Sequence, residues 1–450
     1  MPVLHCAHAL LPSGWAEGVA IHHAAGLIIR IETGLEAASP DATIALPGLA
    51  SLHSHSFQRG MAGLAERRGT SEDSFWTWRE VMYRFLGEIT AEDVETIAAF
   101  AFMEMLERGF TAVGEFHYLH HQPDGTPYAN PAEHAERIAA AAARTGMGLT
   151  LLPVFYAHGG FGGQAPNAGQ RRFLSDLDGF ARLMEASRRA IAGLPDAVLG
   201  FAPHSLRAAT PDELSTLVAT FTDGPVHIHV AEQVKEVQDC LAWSGQRPVE
   251  WLLAHQPVDE RWCLIHATHL TAEERRALAR SGAVAGLCPI TEANLGDGIF
   301  PGADFLAEGG RFGVGTDSNV EISAPGELRM LEYGQRLALR ARNAMSLPGL
   351  STGRVLHDAA LAGGAQALAR PMGIVPGARA DLVTLRPDAP DLAGRSADAW
   401  LDSYIFTGGH TLIDRVYAAG ALVVDKGRHQ GHEALAGAYR RVIERLAGSL

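Results

Sequence analysis

Between residues 48 and 317 two hydrophobic patterns alternate: short unbroken apolar runs, and longer stretches whose apolar positions return at the spacing of an amphipathic helix. The runs fall at 48–52, 111–116, 149–155, 198–202, 226–230, 263–267, 283–287 and 312–316. A strand–helix rhythm of this kind implies a parallel sheet with helical crossovers, and eight repeats are the count of a closed (β/α)8 barrel. Several of the intervening stretches carry helix-start signals. Thr210-Pro211-Asp212-Glu213 combines an N-cap, a proline at the first helical position and a capping-box glutamate. Thr271 and Glu274 repeat the device and Gly282 ends that helix, while residues 91–107 keep helical spacing up to Arg108-Gly109.

The two ends of the chain read differently. Residues 3–45 and about 374–430 lack long helical patterns and are rich in Val, Ile, Gly and short alternating runs, which predicts strands. The expected architecture is an α/β (β/α)8 TIM barrel over 47–372. A small β-sandwich domain is then built from both termini, 1–46 and 373–450, with a final helix at 434–446.

Composition narrows the function. With 47% apolar and 20% charged residues in 450, a large core is possible and disorder is not expected. The net charge of -14 argues against nucleic acid or an anionic membrane as partner, and an anionic substrate would need a local cluster of arginines. Cys6, Cys240, Cys263 and Cys288 are scattered without a CxxC pair, which suits a reducing compartment. The first residues, MPVLHCAHALLPSGW, do not follow the pattern of an export signal, and no run approaches the ~18 apolar residues of a membrane span. A cytoplasmic setting is expected.

Candidate chemistry gathers at one end of the predicted strands. The first ends in His53-Ser-His55, whose side chains share a face roughly 7 Å apart along an extended backbone, as a chelating pair would. The fifth reads Val226-His-Ile-His229-Val-Ala-Glu232, the sixth ends in His266, and the eighth in Gly313-Val-Gly-Thr-Asp317-Ser-Asn319. In a barrel the active site lies at the C-terminal strand ends, so four strands deliver histidines, a glutamate and an aspartate to one rim. A single buried histidine is more often a hydrogen-bonded core residue than a ligand; the recurrence at one rim is what carries the signal. Period-2 spacing does not choose between His227 and His229, and the glutamate three residues after His229 favours the latter.

Zn²⁺ held by imidazoles and a carboxylate brings the pKa of bound water towards ~7. Glu232 is then the candidate for proton relay. Asp317 could ligate the metal and accept the water's proton, and His266 could polarise the electrophile or stabilise developing charge.

The set HxH, HxxE, His and Asp on strands one, five, six and eight resembles the amidohydrolase superfamily, in its one-metal deaminase branch. Two-metal members of that superfamily commonly bridge their ions with a carboxylated lysine. Lys235 and Lys426 are the only lysines here, so the bridge cannot be built from a central strand and only a carboxylate such as Glu115 could replace it. Longer strings, Leu46-Pro-Gly-Leu-Ala-Ser-Leu-His-Ser-His-Ser-Phe-Gln58, Cys288-Pro-Ile-Thr-Glu-Ala-Asn-Leu-Gly-Asp-Gly298 and Gly315-Thr-Asp-Ser-Asn319, are similar to bacterial formimidoylglutamate deiminases of histidine breakdown.

The resemblance implies one Zn²⁺ per subunit on His53, His55, His229 and Asp317, with Glu232, His266 and Asp317 catalytic. It also implies N-formimino-L-glutamate as substrate, a dicarboxylate whose carboxylates call for arginines. Arg79 and Arg207 are the candidates, with Gln58, Tyr118 and His204 also matching substrate-binding positions of the family. Arg59, Arg67 and Arg68 are read as surface charges. By analogy with the superfamily a homodimer is expected. The competing readings are a deaminase of nucleobase-type rings, a non-catalytic zinc- or ligand-binding barrel, and a two-metal amidase opposed by the lysine count.

Overall fold

The computed structural model describes residues 2–35, 39–66 and 75–448. Eight parallel strand positions occur where the unbroken runs predict them: Leu49–Ser54, Phe110–His117, Gly148–Phe155, a fourth split into Val198–Leu199 and Ala202–Pro203, then Val226–Val230, Trp262–His266, Val284–Leu287 and Arg311–Val314. The runs are unbroken because barrel strands are covered on both sides: every residue of the first, second, third, fifth, sixth and seventh is buried. The fourth is interrupted at Gly200, where a Cβ would lie 2.6 Å from the Pro225 carbonyl oxygen.

The strands form two hydrogen-bonded arcs, the first four and the last four. Single bridges join the arcs: Phe201 to Val226 and Ser205 to His229 on one side, Ser54 to Asp317 on the other. At the second seam the His55 amide donates to Asp317 O at 2.9 Å and the Asp317 amide to His53 O at 3.0 Å. The interior is packed, with Ala50, Leu52, Ala112, Cys263, Ile265 and Val284 meeting Ala367 and Leu368 at one end of the barrel.

The helix signals act as read. Thr210 and Thr271 each close a capping box, on Pro211–Thr220 and Ala272–Ser281, and Gly282 terminates the latter at φ +81; Thr90, not singled out in the sequence, closes a third on Ala91–Glu107. The chain's final helix is His432–Ala447.

Both termini contribute to one eight-stranded sheet. Val3–Leu11 pairs with Gly14–Ala24 and, in parallel, with Ala42–Pro47; the latter pairs with Leu382–Leu385, which leads through Ile413–Ala418 and Ala421–Asp425 to Arg428–His429. Leu27–Glu32 forms the other edge. This sheet has its own core, including Leu4, Cys6, Val19, Ile21, Ile28 and Leu382. Ala42–Pro47 passes through Gly48 directly into the first barrel strand. Gly48 is required there, since a Cβ would sit 2.3 Å from the Thr111 side chain. The terminal sheet thus anchors the root of the strand that ends in His53 and His55. All four cysteines are free and buried. Among the described residues no helix is long and apolar enough to cross a membrane.

Candidate active site

His53, His55, His229 and Asp317, contributed by the first, fifth and eighth strand ends, meet with one ligand atom each inside a 4.8 Å span. His53 Nε2 lies 3.2 Å from His55 Nε2 and 3.1 Å from His229 Nε2, and Asp317 Oδ1 is 3.4 Å from both His53 Nε2 and His55 Nε2. Zinc bonded to imidazole nitrogen and carboxylate oxygen in a tetrahedral set places its ligand atoms about 3.3 Å apart.

The protonation pattern supports the same fit. His55 Nδ1 faces Phe116 O at 2.9 Å and His229 Nδ1 faces His204 O at 3.1 Å. A carbonyl oxygen can only accept, so both rings carry their proton on Nδ1 and turn an Nε2 lone pair inward. Burial, with neighbouring imidazoles, pushes His53 down to about 3 and His229 well below the ordinary histidine range. Asp317 stays ionised: burial works against the carboxylate, but the hydrogen bond and charge of His53, then His266 and His55, hold it below its usual range. Two inward lone pairs, from His55 and His229, and one anionic oxygen converge on the His53 ring and make a candidate cation site.

His227 points into the barrel interior as well, but its Nε2–H donates to Ala367 O at 2.7 Å, deeper in the packed end. The ambiguity left by spacing resolves to His229. Glu115 is likewise engaged elsewhere, its Oε1 accepting from the Ser56 amide at 2.8 Å and the Ser56 hydroxyl at 2.6 Å. Neither residue belongs to the groups of metal-ligating atoms found among the described residues.

Above the ligand set lies a cavity lined by His55, Gln58, Arg79, Tyr118, His204, Arg207, His229, Glu232, His266 and Asp317, every residue proposed from the sequence except the fully buried His53. Glu232 Oε1 is 3.9 Å from His266 Nε2 and its Oε2 is 3.9 Å from an Arg207 nitrogen. Burial lifts the Glu232 carboxyl to about 7 against the pull of His266 and Arg207. Burial alone would depress His266; the Glu232 charge, the hydrogen bond to Glu292 and Asp317 outweigh it and raise the imidazolium to about 10. The loop carrying Glu232 is tied by Glu236, whose two oxygens accept the Ala231 and Glu232 amides at 3.2 and 3.1 Å. Gln58 Nε2 donates to the Tyr118 hydroxyl at 2.7 Å, and the Arg79 guanidinium lies 5.6 Å from the Tyr83 ring centre.

Arg59 is a correction: it is no surface charge but lies 2.6 Å from Glu104 Oε2 with 19% of its side chain exposed. Arg67 and Arg68 lie outside the described residues. The sequence reading missed Trp78, Met82, Tyr83, Tyr156, Phe173 and Leu295, which complete the wall. It also missed Asn319, whose Nδ2 lies within donating range of Ser54 Oγ, His55 O and Asp317 O at 3.1, 3.2 and 2.9 Å, clamping both sides of the seam. Asn319 sits at φ +56, next to Asp317 at +45, a left-handed backbone that asparagine and aspartate adopt more readily than other non-glycine residues.

Comparison with known proteins gives a consistent set. A profile of the amidohydrolase family matches residues 44–423, and one described as formimidoylglutamate deiminase HutF, N-terminal domain, matches residues 1–43. The formimidoylglutamate deiminase of Pseudomonas aeruginosa is 51% identical over 452 residues, covering 99% of this chain and 100% of that protein. The crystal structure of an amidohydrolase from Brucella melitensis matches with a TM-score of 0.96 and 55% identity, covering 99% of this chain and 100% of that one. An adenosine deaminase from Xanthomonas campestris, crystallised with bound zinc, has a TM-score of 0.78 at 22% identity, covering 99% and 98%, a likeness of fold alone.

Proposed function

Starting from the chain's membership of the amidohydrolase family, among its formimidoylglutamate deiminases, we propose that it hydrolyses N-formimino-L-glutamate to N-formyl-L-glutamate and ammonia, a step of histidine degradation. The observation that carries this reading is the presence of Arg79 and Arg207 in the wall of the cavity that also holds the cation site. Two guanidinium groups suit a substrate with two carboxylates, each able to pair with a carboxylate at two points.

His53, His55, His229 and Asp317 would hold a single Zn²⁺. A divalent cation bound there supplies Lewis-acid activation and makes hydroxide available near neutral pH. Water adds to the formimino carbon, and the adduct collapses to the formyl group with loss of NH3. Asp317, ionised, accepts the water's proton. Glu232, poised at about 7, carries a proton to the departing nitrogen. His266, protonated with its Nε2 3.9 Å from both Glu232 Oε1 and Asp317 Oδ2, stabilises the charge that develops on the adduct oxygen. Gln58, Tyr118 and His204 orient the substrate between the arginines and the reacting carbon. The enzyme works as a cytoplasmic homodimer on a small dicarboxylate, without nucleic acid or membrane as partner.

The test offers zinc-loaded protein N-formimino-L-glutamate, guanine and cytosine in parallel and measures ammonia. Release from the first alone is expected; release from a ring substrate instead would sink the assignment.

A further inference from the structure

His266 ends the sixth barrel strand with its backbone at φ +67, followed by Ala267 at +46. Left-handed backbone is unfavourable at a non-glycine residue, so the surrounding structure must hold this position. Its Nδ1 lies 3.2 Å from Glu292 Oε1. The same carboxylate oxygen accepts the Cys288 amide at 2.9 Å. Glu292 sits on the helix Pro289–Leu295, directly after the seventh barrel strand, and is 4% exposed. It is absent from the cavity wall and from the ligand sets. A carboxylate taken this far out of water is costly unless its contacts repay it.

Those contacts have a geometric result. With Nδ1–H held outward by Glu292, Nε2 is aimed inward, 3.9 Å from Glu232 Oε1 and 3.9 Å from Asp317 Oδ2. A ring rotated about its Cβ–Cγ bond would lose both orientations, because the carboxylates inside and outside the cavity approach different nitrogens. We propose that Glu292 is the positioning residue for His266, fixing the ring so that Nε2 stands between Glu232 and Asp317 at the floor of the cavity. This deepens the reading of the site given above and rests on it. Glu292 itself touches neither substrate nor cation.

The experiment is a kinetic cycle in the full-length, zinc-loaded protein with N-formimino-L-glutamate: Glu292→Ala, Glu292→Gln, His266→Gln and the double variant His266→Gln/Glu292→Ala. Loss of an orienting partner costs roughly 10- to 100-fold, so Glu292→Ala should lower kcat by about that factor with KM nearly unchanged. Glu292→Gln should restore most of it, because only its amide oxygen can accept both Nδ1–H and the Cys288 amide. In the His266→Gln background, Glu292→Ala should change kcat less than about twofold, as expected of residues acting as a unit. Equal losses with and without His266, a loss in KM instead of kcat, or a Gln variant as poor as Ala would each overturn the proposal. Should Glu292→Ala fail to fold, Glu292→Asp, which keeps the charge but withdraws the oxygen, carries the same cycle. A parent enzyme that releases no ammonia refutes the reading of the site; a working parent with an additive cycle refutes only the role of Glu292.

Discussion

Glu232 and Arg207 share one wall of the cavity at 3.9 Å, and each has a different consequence when changed. Glu232→Gln keeps the shape but cannot cycle a proton, so kcat should fall by roughly 10²- to 10⁴-fold while one zinc per chain remains bound. Metal content by atomic absorption alongside turnover checks both halves; near-normal kcat would remove Glu232 from the mechanism. Arg207→Lys retains a charge but loses the planar fork that pairs with a carboxylate at two points. Its expected signature is a KM raised about tenfold or more with kcat little altered, read from saturation curves. At this scale the sequence was most informative for His53, His55, His229, Glu232, His266 and Asp317, since each follows an apolar run at a strand end. Glu292 and Asn319 were not legible as supports, because what they do is hydrogen-bond across the fold to residues with no fixed spacing from them.

Among the elements, the seam between the first and eighth strands and the final helix both bear on the site. Asn319 holds that seam through an Nδ2 within donating range of three acceptors, so Asn319→Ala should weaken zinc affinity roughly 10- to 100-fold in a chelator competition titration. Unchanged affinity would mean that the backbone bridge suffices. The final helix, His432–Ala447, packs against Ala91–Glu107, where Tyr439 stacks on Phe100 at 4.0 Å and its hydroxyl donates to Arg59 O at 3.0 Å. Arg59 follows Gln58 in the short turn beneath the cavity. An aromatic pair and a hydrogen bond together are worth about 1–3 kcal/mol, so Tyr439→Ala should lower the urea-unfolding free energy by that much. An increase in KM should accompany it, through the loosened Gln58. The strand positions and helix caps were predicted because period and capping are local properties. The pairing of Ala42–Pro47 with both Val3–Leu11 and Leu382–Leu385 was not, since no local pattern specifies which of many short strands become neighbours.

For the whole molecule, buried neutral histidines make stability depend on pH. His120 is an example clear of the cation site: burial, with a smaller push from His121, takes it from 6.5 to about 4, against the hydrogen bond it donates to Val154 O at 2.8 Å. At pH 7.5 neither the folded nor the unfolded chain protonates this ring. Between 6.5 and about 4 the unfolded chain binds a proton that the folded one refuses, so stability falls as the pH drops. The His120 share is about 2 kcal/mol by pH 5. Urea midpoints at pH 7.5 and 5.0 should therefore move apart less in His120→Gln than in the parent; an equal spread would show that this ring does not contribute. Among the described residues the barrel's ring is completed at this seam by the single Ser54–Asp317 bridge, and the candidate cation ligands stand on both sides of it. An ion held there would act as a clasp, and chelation should speed amide hydrogen exchange at His55 and Asp317 before it affects the strands opposite. A cell starved of zinc would then hold opened, protease-sensitive chains in place of a reserve of intact enzyme awaiting its metal.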